Sequence, residues 1–491
     1  MPSASEPVRQ SVSDVGRREL TISLAVAWGL VIARSLVFLV YEQSLFDSDQ
    51  AIVGLMAKHL AEGRAFPLFY YGQGFLLGVE AWLAAPVFWM AGASVTTLHL
   101  SLMLTNLAAA TLLIVGLSRY GGLRPFYALA ASVFFVFAPP PASALLLTAN
   151  GANVEPFLFL LLLWFVRDRP LWFGLVLGVG FLTREFTIYA VPVALVAQAV
   201  EGRLPRATTA RHWLLVAVAF SAVLAGVDIL RPFADARGPG TRGAMTTGMP
   251  ASEAQNLSER ANVEVSEFPA RAGVMVLDHI PRLAGASAGA TGPLRGGMAW
   301  LLVACLGLTL ARGLALWRPS ARAFPFGLYV LGLGAAAAAG YVVTRPAGEN
   351  TARYYLLVVF VPVGILATAL ANETRAWLRR VMLVAVVVWA AASGVDHANN
   401  FARYHSGAEP DAARALADAL VAQHVAVAQT GYWRAYKLTF MTGERVKLAA
   451  TDLARIDEYE HLAAQAGPSL LTLEDQPCPG GIPVADSFLC R

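Results

Sequence analysis

Apolar residues in this chain come in blocks instead of alternating with polar ones. The first block runs from Leu20 to Val40 behind Arg17 and Arg18, and others recur as far as Ala391. Short arginine-bearing segments separate them, a pattern that predicts membrane-spanning helices whose turns obey the positive-inside rule. The opening block reads as a start-transfer anchor, because a cleaved signal peptide has an apolar region of only about 7–15 residues.

The arginines fix a path. Residues 1–19 form a cytoplasmic amino terminus, and the cytoplasmic turns carry Arg119 and Arg124, Arg167 and Arg169, Arg203 to Arg211, Arg318 and Arg322, and Arg375 to Arg380. Residues 20–395 then make about eleven spans, with outer loops at 41–96 and 231–297. The expectation is a multi-pass protein of the cell inner membrane with its active site extracytoplasmic.

From residue 396 to 491 the pattern changes. Helices are predicted over 412–421, 432–441 and 453–466, and strands over 424–428, 445–449 and 469–473, which together read as a small soluble α/β extracytoplasmic domain. Cys478 and Cys490 lie in its tail and can bond if the domain meets an oxidising compartment; the sequence leaves this open. Cys305 is read as a packing residue within a helix.

Composition reinforces this picture. With 57% hydrophobic and 14% charged residues, the chain lacks the charges for a soluble surface. The net charge of +4 sits in loop arginines, which argues against nucleic acid. Three cysteines are too few for a zinc cluster.

Ionisable groups in apolar surroundings are expensive, so misplaced ones mark function. Asp47-Ser48-Asp49-Gln50 precedes a short amphipathic helix with Ile52, Val53, Met56 and Leu60 on one side and Gly63 at its end. The helix is too short to span and is expected to lie along the interface. Ser48 or Asp49 reads as its cap, which does not require Asp47 and Asp49 together; a carboxylate held there can instead act as general base or metal ligand. Glu155 opens the helix after Asn150-Gly151-Ala152-Asn153-Val154, where the helix dipole alone favours an acid. The apolar run that follows is short, so Glu155 is expected below the membrane surface. Thr183-Arg184-Glu185 forms a recessed turn whose charges either neutralise one another or face an anionic headgroup. Arg345 and Arg353 flank a late turn, with Tyr354 and Tyr355 following. An aromatic stretch from Phe66 to Phe75 contains Tyr71 and Gln73 and reads as an interfacial belt or a sugar platform.

In this order the features resemble the GT-C class of membrane glycosyltransferases, in particular the family 39-like branch of protein mannosyltransferases and lipid A aminoarabinose transferases. Asp47-Ser48-Asp49-Gln50 resembles the acidic motif of the class's first outer loop. Tyr71-Gly72-Gln73-Gly74 through Gly78-Val79-Glu80-Ala81 is similar to a bacterial "YGQ…GSLEA" segment. Glu155 falls at the second acidic position, Thr183-Arg184 resembles a "TK" turn, and Arg353-Tyr354 an "RY" helix opening. Tyr432-Trp433-Arg434-Ala435-Tyr436 resembles the subgroup's soluble tail. Arginine replaces the lysine of "TK", and Gly72-Gln73-Gly74 stands where the aminoarabinose branch has "EKP".

The resemblance implies a polytopic α-helical, GT-C-like fold. It also implies transfer, with inversion, of a hexosyl or pentosyl group from a polyprenyl-phosphate donor in the membrane lipid to an acceptor glycan, lipid or protein. Asp49 would be the general base, Asp47 would orient it or share a divalent metal ion with it, and Glu155 would contact acceptor or sugar. Arg184, Glu185, Arg353, Tyr354, Gln73, Tyr71 and Glu80 would bind substrate. Rival readings are a transporter or flippase for a lipid-linked sugar, and a scaffolding subunit.

Overall fold

The computed structural model describes residues 6–203, 207–240, 265–285, 293–316, 325–344 and 352–491. Among the described residues six helices are long and apolar enough to cross a membrane: Gly16–Val40, Val95–Arg119, Thr209–Phe233, Phe326–Val343, Ala352–Asn372 and Ala376–His405. A seventh is the pair Pro125–Val136 and Pro140–Leu146, bent by 84°. The shorter apolar helices are Val79–Ala91, Glu155–Val166, Pro170–Thr183, Glu185–Val200 and Ala304–Leu316. The expected number of about eleven full spans is therefore not confirmed. Apolar composition marks a helix, but twelve residues, as in Glu155–Val166, reach only about 18 Å against a hydrocarbon core of about 30 Å. Val79–Ala91 also places an apolar helix inside the segment read as an outer loop. Large apolar side chains such as Trp89 and Leu308 stand exposed, as expected where lipid is the solvent. Cys305 is exposed too, which corrects its reading as a packing residue.

The bend follows from Pro139, Pro140 and Pro141, which cannot supply helical N–H groups. Side chains answer the carbonyls thus released. Arg34 Nε donates to Val136 O at 3.2 Å and Ser393 Oγ to Phe137 O at 3.2 Å, and His397 Nε2 pairs with Ala138 O at 2.8 Å. Arg34 is wholly buried, and its Nη2 also donates to Asn106 Oδ1 at 2.7 Å.

The helix after the acidic motif spans Ser48–Ala61, and Gly63 follows with φ of 66°. It does not present one apolar and one polar face. Ala51, Ile52, Val53, Leu55, Met56 and Ala57 are all buried, because the Tyr432–Met441 helix covers the side away from the membrane helices. The two helices approach closely at Gly54, where a Cβ would fall 2.6 Å from the Phe440 ring.

The carboxyl-terminal unit is a five-stranded sheet in the order β2-β1-β3-β5-β4. Strands β1 (Val427–Thr430), β2 (Lys447–Ala450) and β3 (Leu471–Glu474) are parallel, joined through the Tyr432–Met441 and Asp457–Ala466 helices. The hairpin β4 (Ile482–Val484) and β5 (Ser487–Cys490) adds antiparallel to β3, with Cys478 and Cys490 disulfide-bonded. The helix leading into this unit continues unbroken through residue 396 to His405.

Candidate active site

Each residue of the acidic motif points a different way. Asp47 is the cap, its carboxylate accepting the Gln50 N–H at 3.0 Å. Burial, with the Asp49 charge adding and the Gln50 bond opposing, pushes the Asp47 carboxyl above its ordinary value. Ser48 Oγ donates to Tyr432 O at 2.7 Å and accepts from Lys437 N at 3.2 Å. Asp49 has no capping duty. Half-buried, it accepts a short hydrogen bond from the Tyr432 hydroxyl at Oδ1, while its backbone carbonyl accepts from Tyr70 Oη at 2.9 Å. Gln50 is buried; its Nε2 donates to Leu45 O at 2.7 Å, and its Oε1 meets His99 Nε2 at 3.1 Å and Ala149 N at 3.4 Å.

That last contact leads to the loop before Glu155. Gly151 and Ala152 take successive positive φ angles of 67° and 69°, an arrangement that gathers backbone N–H groups on one side. Gly151 N donates to Glu80 Oε2 at 2.9 Å, and Gly151 O accepts from Arg184 Nη1 at 2.9 Å. Glu80 therefore anchors the loop, and Arg184 braces it from the other side.

Glu155 is 1% exposed and faces Glu80. Among the described residues neither Glu155 oxygen has a hydrogen-bond partner, nor has Glu80 Oε1. Two adjacent buried carboxyls with three oxygens unused are costly unless donors from outside the chain reach them.

Two arginines complete the cluster. Arg184 is buried, with its guanidinium 5.4 Å from the Phe186 ring and 5.7 Å from the Tyr354 ring. Arg353 donates to Asn150 Oδ1 at 3.2 Å and to Tyr354 Oη at 3.3 Å, and lies 5.1 Å from the same ring. Their Nε atoms are buried without partners among the described residues. Glu185 is half-buried and an electrostatic neighbour of Arg184, but forms no ion pair with it. Two cations flanking one tyrosine make a seat for an anion.

The structure thus gathers Glu80, Glu155, Arg184, Arg353 and Tyr354 around Asn150 and Gly151. Asp49 joins through its neighbour Gln50 at Ala149, and through Tyr70, which lies in the electrostatic reach of both Asp49 and Glu80. Gln73 sits half-buried in the adjoining turn, its N–H on Tyr70 O at 2.8 Å. Tyr71 is drawn elsewhere: its buried hydroxyl pairs with His59 Nδ1 at 3.1 Å. Arg345 lies outside the described residues. Sequence reasoning noted the segments holding Tyr70 and Tyr432 but gave these two residues no role, and it missed Arg34 and Arg455; Arg455 Nη1 donates to Gly72 O at 3.1 Å. Periodicity carries no signal for a contact across 383 residues.

Among the described residues no three of His, Cys, Asp and Glu converge as metal ligands. A divalent ion at Asp47 and Asp49 would find one carboxylate capping a helix and the other bonded to Tyr432.

No protein-family model matches the chain, and no curated protein matches it by sequence. Its fold nevertheless matches that of ArnT from Cupriavidus metallidurans. The crystal structure bound to undecaprenyl phosphate aligns over 96% of this chain and 97% of that one, with a TM-score of 0.62 at 12% identity. The apo state aligns over 95% and 97%, with a TM-score of 0.57 at 12% identity. The GT-C-like fold implied by the order of motifs is therefore present, from the first span to the carboxyl-terminal sheet.

Proposed function

We propose that this chain is a membrane glycosyltransferase that moves a sugar from a polyprenyl-phosphate donor to a hydroxyl acceptor. The carrying observation is the convergence of Arg184 and Arg353 on Tyr354, beside the facing buried carboxyls of Glu80 and Glu155. The likeness to a fold crystallised with undecaprenyl phosphate supports the same reading.

Asp49 takes the acceptor hydroxyl's proton as its oxygen bonds to the anomeric carbon. The carbon–oxygen bond to phosphate breaks, and the growing phosphate charge is met by Arg184 and Arg353. A single displacement inverts the anomeric centre. Glu155 and Glu80 accept hydrogen bonds from sugar or acceptor, filling their unused oxygens; Gln73 and Glu185 border this space. The disulfide between Cys478 and Cys490 supports an extracytoplasmic carboxyl-terminal unit, hence a site on the outer face of the inner membrane.

The test is to incubate purified protein with a panel of undecaprenyl-phosphate sugars and follow release of undecaprenyl phosphate. Asp49→Asn is expected to abolish release while leaving expression and melting temperature unchanged. Undiminished release would remove Asp49 from the chemistry.

A further inference from the structure

The Ser48–Ala61 helix is held by the carboxyl-terminal unit at both ends. At its start, Ser48 Oγ sits between Tyr432 O and Lys437 N, and the Tyr432 hydroxyl reaches Asp49. At its end, Glu444 gathers Lys58 Nζ, His59 Nε2 at 3.2 Å, Arg64 Nη1 at 2.8 Å and Tyr459 Oη at 2.9 Å. A helix tied at both ends cannot turn about its axis relative to the sheet.

We propose that Tyr432 is a positioning residue for transfer: its hydroxyl holds Asp49 Oδ1 and thereby presents Oδ2 to the acceptor. This rests on the reading of Asp49 as general base. A free aspartate carboxylate rotates about its last bond and offers either oxygen over a wide arc. Fixing one oxygen restricts the other to a single direction, which is what a base in a near-attack geometry needs. Among the described residues no group bonds Oδ2.

Tyr432 is itself fixed. Its N–H donates to Asp452 Oδ1 at 2.7 Å, and its ring packs against Tyr436 and Trp433 with centroids 5.4 and 5.3 Å away. Burial and the Asp49 charge push its phenol upward, so the hydroxyl stays a donor at any working pH. The carboxyl-terminal unit is then part of the active site.

Tyr432→Phe keeps the ring and the backbone carbonyl that Ser48 uses, so docking survives. In the full chain, using the donor that the panel identifies, kcat is expected to fall about ten- to a hundredfold, as for loss of a hydrogen bond to a charged group, with KM for the donor unchanged. An unchanged kcat, or a loss confined to KM, overturns the proposal. A second measurement needs no substrate. With carboxyl-labelled aspartate, the infrared difference between wild type and Asp49→Asn isolates the Asp49 carboxylate stretch. That band is expected to shift in Tyr432→Phe, and a band that stays in place overturns the proposal. Wild type silent with every donor would sink the transferase reading alone, leaving the infrared band to decide the positioning.

Discussion

Glu444 and Glu155 are both glutamates withdrawn from solvent, and they live in opposite worlds. The Glu444 carboxylate is saturated by Lys58, His59, Arg64 and Tyr459. Burial alone would raise it, but His59, Arg64 and Lys58 together hold it far below the usual carboxylate range. Among the described residues Glu155 faces another acid, Glu80, and no cation pairs with it. The saturated carboxylate is a finished joint between two parts of the fold. The unsaturated one is half of an interaction whose other half must arrive from outside.

Breaking the joint should have the largest effect. Glu444→Ala removes the shared acceptor of Lys58, His59, Arg64 and Tyr459 and leaves the two cations to Glu62 and Glu458, which costs about 1–3 kcal/mol. The expected outcome is a lower melting temperature and new proteolytic cuts near residues 406–411. The joint should also respond to acid. Glu444 has a depressed folded-state value, so its contribution is complete above the unfolded value of about 4.3 and is lost as pH falls further below it. Thermal melts are therefore expected to be flat in this respect near neutrality and to fall below about pH 4 in wild type, with a shallower fall in Glu444→Gln.

Glu155→Gln sharpens the other side of the comparison. It replaces one of two facing buried acids by a neutral amide, so the melting temperature should hold or rise, while sugar transfer falls about tenfold or more. A variant that instead unfolds would make Glu155 a structural group. The smallest effect is expected at Ala152, whose φ of 69° strains a residue bearing a Cβ. Ala152→Gly should stabilise the loop that Glu80 anchors by up to about 1 kcal/mol, read from denaturant melts.

Much of the fold was legible in the chain because lipid makes composition loud. The apolar blocks fall on helices, and the Tyr432–Met441 helix lies where the pattern placed it. Whether a short block crosses the membrane was not legible, since Glu155–Val166 and a full span share the same composition. The β4–β5 hairpin was hidden because β4 has three residues with Pro483 at its centre. At the site, the motif offered Ser48 or Asp49 as the cap, and the geometry corrects this: Asp47 caps, Ser48 binds the Tyr432 backbone and Asp49 is spare. Tyr432 stood in a recognised motif but its partner did not show, and Arg455 had no local signature, because their contacts exist only once the carboxyl-terminal unit has docked.

The bend at Pro139 sets a schedule for biosynthesis. Phe137 O finds Ser393, and Ala138 O finds His397, which lie 256 and 259 residues further along the chain. Arg34, by contrast, leaves the ribosome in the first span, ahead of both Asn106 and Val136. Arg34 is thus served early, and Ala138 O also accepts from Ser143 Oγ at 2.6 Å, while Phe137 O waits in the bilayer for a helix translated near the end. A nascent chain cut before residue 393 would leave that carbonyl without its Ser393 donor.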